Sequence, residues 1–77
     1  MVEHQPEQTR FIITRGEHQC LLEYVLNGTT IDFTHTYVPF ALRGQGLAEL
    51  LVKEGLAWAQ AQNYSIQASC SYVHKWL

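Results

Sequence analysis

The segment Val38-Pro39-Phe40-Ala41-Leu42-Arg43-Gly44-Gln45-Gly46-Leu47-Ala48 gathers the residue types that hold an anion. Gly44 and Gly46 allow backbone dihedrals closed to other residues, and they let an anion approach without meeting a Cβ. Arg43 carries a planar fork of donors suited to phosphate. A helix that starts at Leu47 leaves its first N–H groups without internal partners, at the positive end of its dipole. Together these conditions make a phosphate site. Each charge-assisted hydrogen bond there is worth about 1.5–3 kcal/mol, so a few of them anchor a diphosphate after offsetting its desolvation.

Two further side chains have acid–base or nucleophilic character. His35 is a candidate general base, imidazole being the side chain that most readily exchanges a proton near neutrality. Cys70 becomes a nucleophile or acyl carrier where a helix N-terminus lowers its thiol pKa. Each has a plainer reading beside the chemical one. His35 also fits a hydrogen-bonded core residue, and Cys70 a small buried hydrophobe. No His, Cys or carboxylate cluster has the spacing of metal ligands.

These groups need a scaffold. Arg10–Arg15 and His18–Leu26 read as strands, joined at Gly16-Glu17. Asn27-Gly28 then carries the hairpin signature of a type I′ turn. Thr29–Val38 alternates as a half-buried strand does. Ile31, Phe33, His35 and Tyr37 fall on one face, with Thr30, Asp32, Thr34, Thr36 and finally Val38 on the other. Leu47–Gln62 is rich in helix formers, with a stripe of Leu47, Leu50, Leu51, Ala57, Trp58 and Ala61 at helical spacing. Gly55 is a weak spot in that helix, costing about 1 kcal/mol relative to Ala. Asn63 suits the residue after the helix C-cap. Tyr64–Ser69 reads as a strand, and Cys70–Leu77 has room for one or two helical turns. The expected fold class is a mixed α/β (α+β) arrangement in β-β-β-α-β-α order. Strands three and four run parallel, and the main helix covers one face of a mixed sheet. Residues 1–9 read as a flexible tail, and residues 10–77 as one compact domain.

Composition bounds the function. A 77-residue chain buries only about 60–65% of the surface its unfolded form exposes. Its apolar fraction of 47% against 16% charged residues still describes a folded chain. The net charge is -2 and the five Lys and Arg are scattered, so no basic stripe exists to neutralise a nucleic acid. No apolar run approaches the length of a membrane span. The N-terminus lacks the basic and apolar regions of a secretory signal. Cys20 and Cys70 are far apart, and neither belongs to a C-x-x-C pair, so two free thiols in a reducing cytoplasm are expected. Exposed edges in so small a sheet favour pairing of two copies as a homodimer.

Arg43-x-x-Gly46-x-Ala48 resembles the R/Q-x-x-G-x-G/A signature of the GNAT superfamily of N-acetyltransferases. The flanking His35-Thr36-x-Val38-Pro39 and Cys70-x-Tyr72-Val73 resemble the compact branch of that superfamily, from about Arg10 to the end. The resemblance implies a GNAT-like sheet, acetyl-CoA or coenzyme A as cofactor, and transfer of an acetyl group to an amine acceptor. A non-catalytic CoA or acyl-CoA binding module is the alternative. It also implies roles. Backbone groups of Arg43, Gly44, Gln45, Gly46, Leu47 and Ala48 would hold the pyrophosphate. Val38 would bond the pantetheine arm through its backbone. Cys70 would lie near the acyl thioester, and Tyr72 would protonate the leaving thiolate or simply pack. The superfamily's fold continues with further strands and helices, whereas only seven residues follow Cys70 here, which bears on the acceptor side of the site.

Overall fold

The computed structural model describes residues 1–77. β-Branched and aromatic residues, broken by tight turns, fold the first half into an antiparallel sheet. Its strands are β1 (Glu3–Gln5), β2 (Arg10–Arg15), β3 (His18–Asn27) and β4 (Thr30–Tyr37). They pair in chain order, and β5 (Ser65–Ala68) then adds to β4 in parallel. The expected mixed sheet is therefore present, but the β3–β4 turn sits one residue later than the expected type I′ pair: Asn27 pairs with Thr30 as the last rung, Gly28 and Thr29 form the loop, and of Asn27 and Gly28 only Gly28 takes a positive φ, at 63°.

Helix α1 (Leu47–Ala61) crosses between β4 and β5, and α2 (Ser71–His74) closes the chain. Asn63 takes the left-handed conformation just past α1, with φ 62°. One face of the sheet packs on α1, through Phe11, Ile13, Leu22, Tyr24, Ile31 and Phe33 against Leu47, Leu51, Val52 and Ala59. The buried helical stripe is rotated from the expected one. Leu51, Val52, Gly55 and Ala59 face the sheet, while Leu50, Ala57 and Ala61 are exposed. The reason is Gly55. A Cβ there would stand 2.8 Å from Leu22 Cδ2 and 3.1 Å from Phe33 Cε1. The missing side chain lets the helix approach the sheet closely.

Residues 1–9 are not a loose tail. Glu3–Gln5 pairs with Arg10–Ile12, and a 3-10 turn at Pro6–Gln8 links the two strands. His4 holds this edge. Its ring stacks on Phe11 at 4.1 Å, meets the edge of Trp58 at 4.5 Å, and its Nε2 lies 2.6 Å from the Tyr24 hydroxyl. Aromatic burial of this kind outweighs the polar character of the segment.

The face assignment along β4 also changes midway. Phe33 pairs with Tyr24, but His35, not Thr34, pairs with Glu23. Thr34 is thus an extra residue, a β-bulge, and its hydroxyl donates to the Glu23 carbonyl at 3.4 Å. One extra residue exchanges the faces of everything after it. Ile31 and Phe33 stay in the core as expected. His35 and Tyr37 turn to the solvent face, and Thr36 turns toward the face that carries the helices.

Candidate functional site

The anion loop begins where Pro39 ends the β4 ladder, since proline donates no N–H. A 3-10 turn over Phe40–Leu42 follows, fixed by Leu42 N–H to Pro39 O at 2.9 Å and Arg43 N–H to Phe40 O at 3.2 Å. Gly44 and Gly46 then adopt φ of 82° and 74°, the left-handed region that glycine alone enters freely. Gly46 is the N-cap of α1, and no side chain caps the helix. The first intrahelical bond runs from Leu50 N–H to Gly46 O. The N–H groups of Leu47, Ala48 and Glu49 are therefore the helix's unclaimed donors.

A cavity of about 240 Å³ opens over this loop. Val38, Leu42, Arg43, Gly44 and Gly46 form one side, and the first turn of α1 (Leu47, Ala48, Glu49) the floor. Tyr72 on α2 closes it from the far end of the chain. An added Cβ at Gly44 or Gly46 would meet nothing within 4 Å, so the backbone there stands open to a ligand. A bound diphosphate fits this cradle of bare backbone, free helix donors and one guanidinium. Arg43 is held in place, its Nε donating to the Val38 carbonyl at 2.9 Å while its guanidinium lies 5.9 Å from the Phe40 ring. Glu49 adds a carboxylate to the wall and pairs with Lys53 at 3.0 Å.

Cys70 is the N-cap of α2, two residues before Tyr72. Its Sγ lies 3.4 Å from Thr36 Oγ1, the residue that the β4 bulge turned inward. Burial pushes the thiol pKa up, but the Thr36 hydroxyl and the backbone N–H groups of Val73, Tyr72 and Thr36 outweigh it, so the net shift is downward. A clamp fixes this end of β5. The Asp32 carboxylate accepts from the Ser69 N–H at 2.7 Å and the Ser69 hydroxyl at 2.6 Å. The Cys70 N–H donates to Phe33 O at 3.0 Å. Cys20, by contrast, is buried in the core, and burial raises its pKa against a smaller opposing effect of Arg15. Both thiols are free.

The candidate residues thus separate. Val38, Arg43, Gly44, Gly46, Leu47, Ala48 and Tyr72 line one cavity. Gln45 is exposed in the loop but is not part of its wall. Cys70 stands beside the cavity residue Tyr72 in the chain and touches Thr36, without lining the cavity itself. His35 is exposed, on the sheet face opposite Thr36. The expectation that it shares the Phe33 face fails because of the bulge. Thr36, Asp32 and Glu49 were not foreseen. Only Glu49 had a readable signal, its place in the first turn after the glycines.

A mixed sheet whose fourth strand leads through a glycine loop into an uncapped helix, and whose parallel fifth strand leads on to Cys70, is the arrangement of an acetyltransferase-like domain. The family model of GCN5-related N-acetyl-transferase domains matches residues 10–77, and the chain belongs to that family. Among its relatives is Protein NATD1 of Xenopus tropicalis, 32% identical over 99% of this chain and 72% of the relative. Protein NATD1 of Gallus gallus and of Homo sapiens are equally similar, with 72% and 70% of their lengths covered.

Proposed function

We propose that this chain binds acetyl-CoA through the Arg43–Ala48 loop and transfers its acetyl group to an amine. The observation that carries the reading is the pair of left-handed glycines feeding an uncapped helix, with Arg43 beside them. Family membership supports the cofactor class. Acetyl-CoA supplies a thioester, so that a C–N bond forms, the C–S bond breaks, the amine loses a proton and the thiol of CoA gains one. The backbone N–H groups at the start of α1 and the Arg43 guanidinium bind and orient the diphosphate, and positioning of this kind alone is worth several kcal/mol. Val38 offers its backbone to the pantetheine arm. Tyr72, on the cavity wall, holds a proton for the leaving sulfur. Cys70 is an acyl carrier in a two-step route, or takes no part in a direct one.

A second reading is a CoA-binding module without turnover. The outward position of His35 favours it, since that imidazole does not reach the cavity side of the sheet. We place the protein in the cytoplasm, where its two free thiols persist. No helix is long and apolar enough to cross a membrane.

The test is a thermal melt with and without acetyl-CoA and CoA, on the native chain and Gly46→Val. A ligand at about 100 times its dissociation constant adds about 2.7 kcal/mol, a shift of several degrees or more for a chain this small. The shift is expected in the native chain and not in the variant, with circular dichroism showing that the variant still folds. Intact-mass analysis after acetyl-CoA then separates the routes, because an acetyl group on Cys70 excludes the binding module.

A further inference from the structure

Phe40 is the most exposed aromatic residue of the chain, at 85% of its full accessibility. Lone exposed apolar side chains are ordinary, but this one is carried on a hydrogen-bonded turn next to the cavity residue Arg43. Pro39 precedes it. The two turn hydrogen bonds at Leu42 and Arg43, and the Arg43 side-chain bond to Val38, lock its backbone on both sides. The Arg43 guanidinium lies 5.9 Å from the ring centroid. Arg43 in turn lines the cavity beside the free N–H groups of α1.

An exposed aromatic ring thus stands beside a residue that lines the anion cradle. We infer that Phe40 is the stacking platform for the base of an adenine nucleotide whose diphosphate lies in the Arg43–Ala48 loop. The inference rests on the acetyl-CoA reading and deepens it, because it assigns a place to the adenine end of the cofactor. Every base presents a π-face, and a flat ring recognises it without needing donors or acceptors. Arg43 serves both parts, pairing with phosphate through its fork and bordering the stacked rings with its cationic plane. The turn fixes the backbone that presents the ring, so stacking has to order the side chain but not the loop.

The experiment follows the adenine H2 and H8 protons of CoA by NMR as the native chain is titrated in, and repeats the titration with Phe40→Leu and Phe40→Trp. Upfield shifts of both protons and contacts to the Phe40 ring protons are expected. Phe40→Leu should abolish the shifts and weaken CoA about fivefold or more, while Phe40→Trp should keep both. CoA that binds with unshifted adenine protons overturns the inference and leaves the cofactor reading intact. So do shifts that persist in Phe40→Leu. A native chain that binds no CoA removes the cofactor reading, and the adenine site falls with it.

Discussion

The sulfur of Cys70 and the hydroxyl of Thr36 lie 3.4 Å apart, a contact between α2 and a strand that would face away from it but for one extra residue. Thr34 turns β4 over, and Thr36 comes with it. That contact is among the effects that hold the thiol below its ordinary pKa. Thr36→Val keeps the shape and removes the donor. The rate of Cys70 alkylation by iodoacetamide, followed against pH, should then rise at a higher pH than in the native chain. An unchanged profile would show that the backbone N–H groups of α2 suffice. In both proteins Cys70 should react well before the buried Cys20.

The Asp32–Ser69 clamp holds the chain just before Cys70. Its two short bonds join β4 to the residue before Cys70. Asp32→Ala leaves the Ser69 N–H to water and frees the turn into α2. Net hydrogen bonds to a charged group are worth about 1.5–3 kcal/mol each where sheltered. Both bonds here are exposed, so a loss of about 1 kcal/mol in urea denaturation is expected. Faster amide exchange at Cys70 should accompany it. Exchange unchanged at Cys70 would show that the Phe33 carbonyl holds it alone.

Gly55 gives a prediction opposite in sign to helix propensity. Gly55→Ala gains about 1 kcal/mol of propensity in an ordinary helix. Here the new methyl meets Leu22 and Phe33, both fully buried. Overpacking of a core costs about 1–3 kcal/mol, so the variant should be less stable by about 1 kcal/mol and melt about 4–8 °C lower. A higher melting temperature would mean that Leu22 yields easily.

His4 makes stability depend on pH. Burial lowers its pKa from about 6.5. The folded state therefore binds this proton less readily than the unfolded chain does. Its contribution is complete above the unfolded pKa and is lost as pH falls below about 6.5 toward the lower folded value. The groups around it are Tyr24, Phe11 and Trp58, with Tyr64 packed on Trp58, and none supplies a counter-charge to an imidazolium. His4→Phe should flatten the fall in melting temperature between pH 7.5 and 5. Equal slopes for the two proteins would remove His4 as the cause.

Much of this architecture was legible. The β3–β4 hairpin, the helix from Leu47, and the glycines before it follow from local rules that hold wherever those residues occur. β1 was hidden because Val2-Glu3-His4-Gln5 is short and polar, and its strand character comes from His4 docking on residues distant in the chain. The bulge was hidden for a different reason. Thr34 is a good strand residue, and nothing in its type says that it will stand unpaired. The faces of His35, Thr36 and Tyr37 were lost with it. Gly55 was visible, but only as a flaw in a helix, because its purpose lies in the side chains of β3 and β4.

The walls of the cavity belong to different moments in the life of the chain. Val38 to Glu49 leave the ribosome together and need only the docking of α1 to take shape. Tyr72 reaches its place only after the crossover returns β5 to β4, a non-local parallel pairing of the kind that closes late in folding. Until β5 has paired with β4 and α2 has docked, the cradle lacks its Tyr72 wall. Occupancy by a ligand that touches both walls is then a report that the crossover has closed.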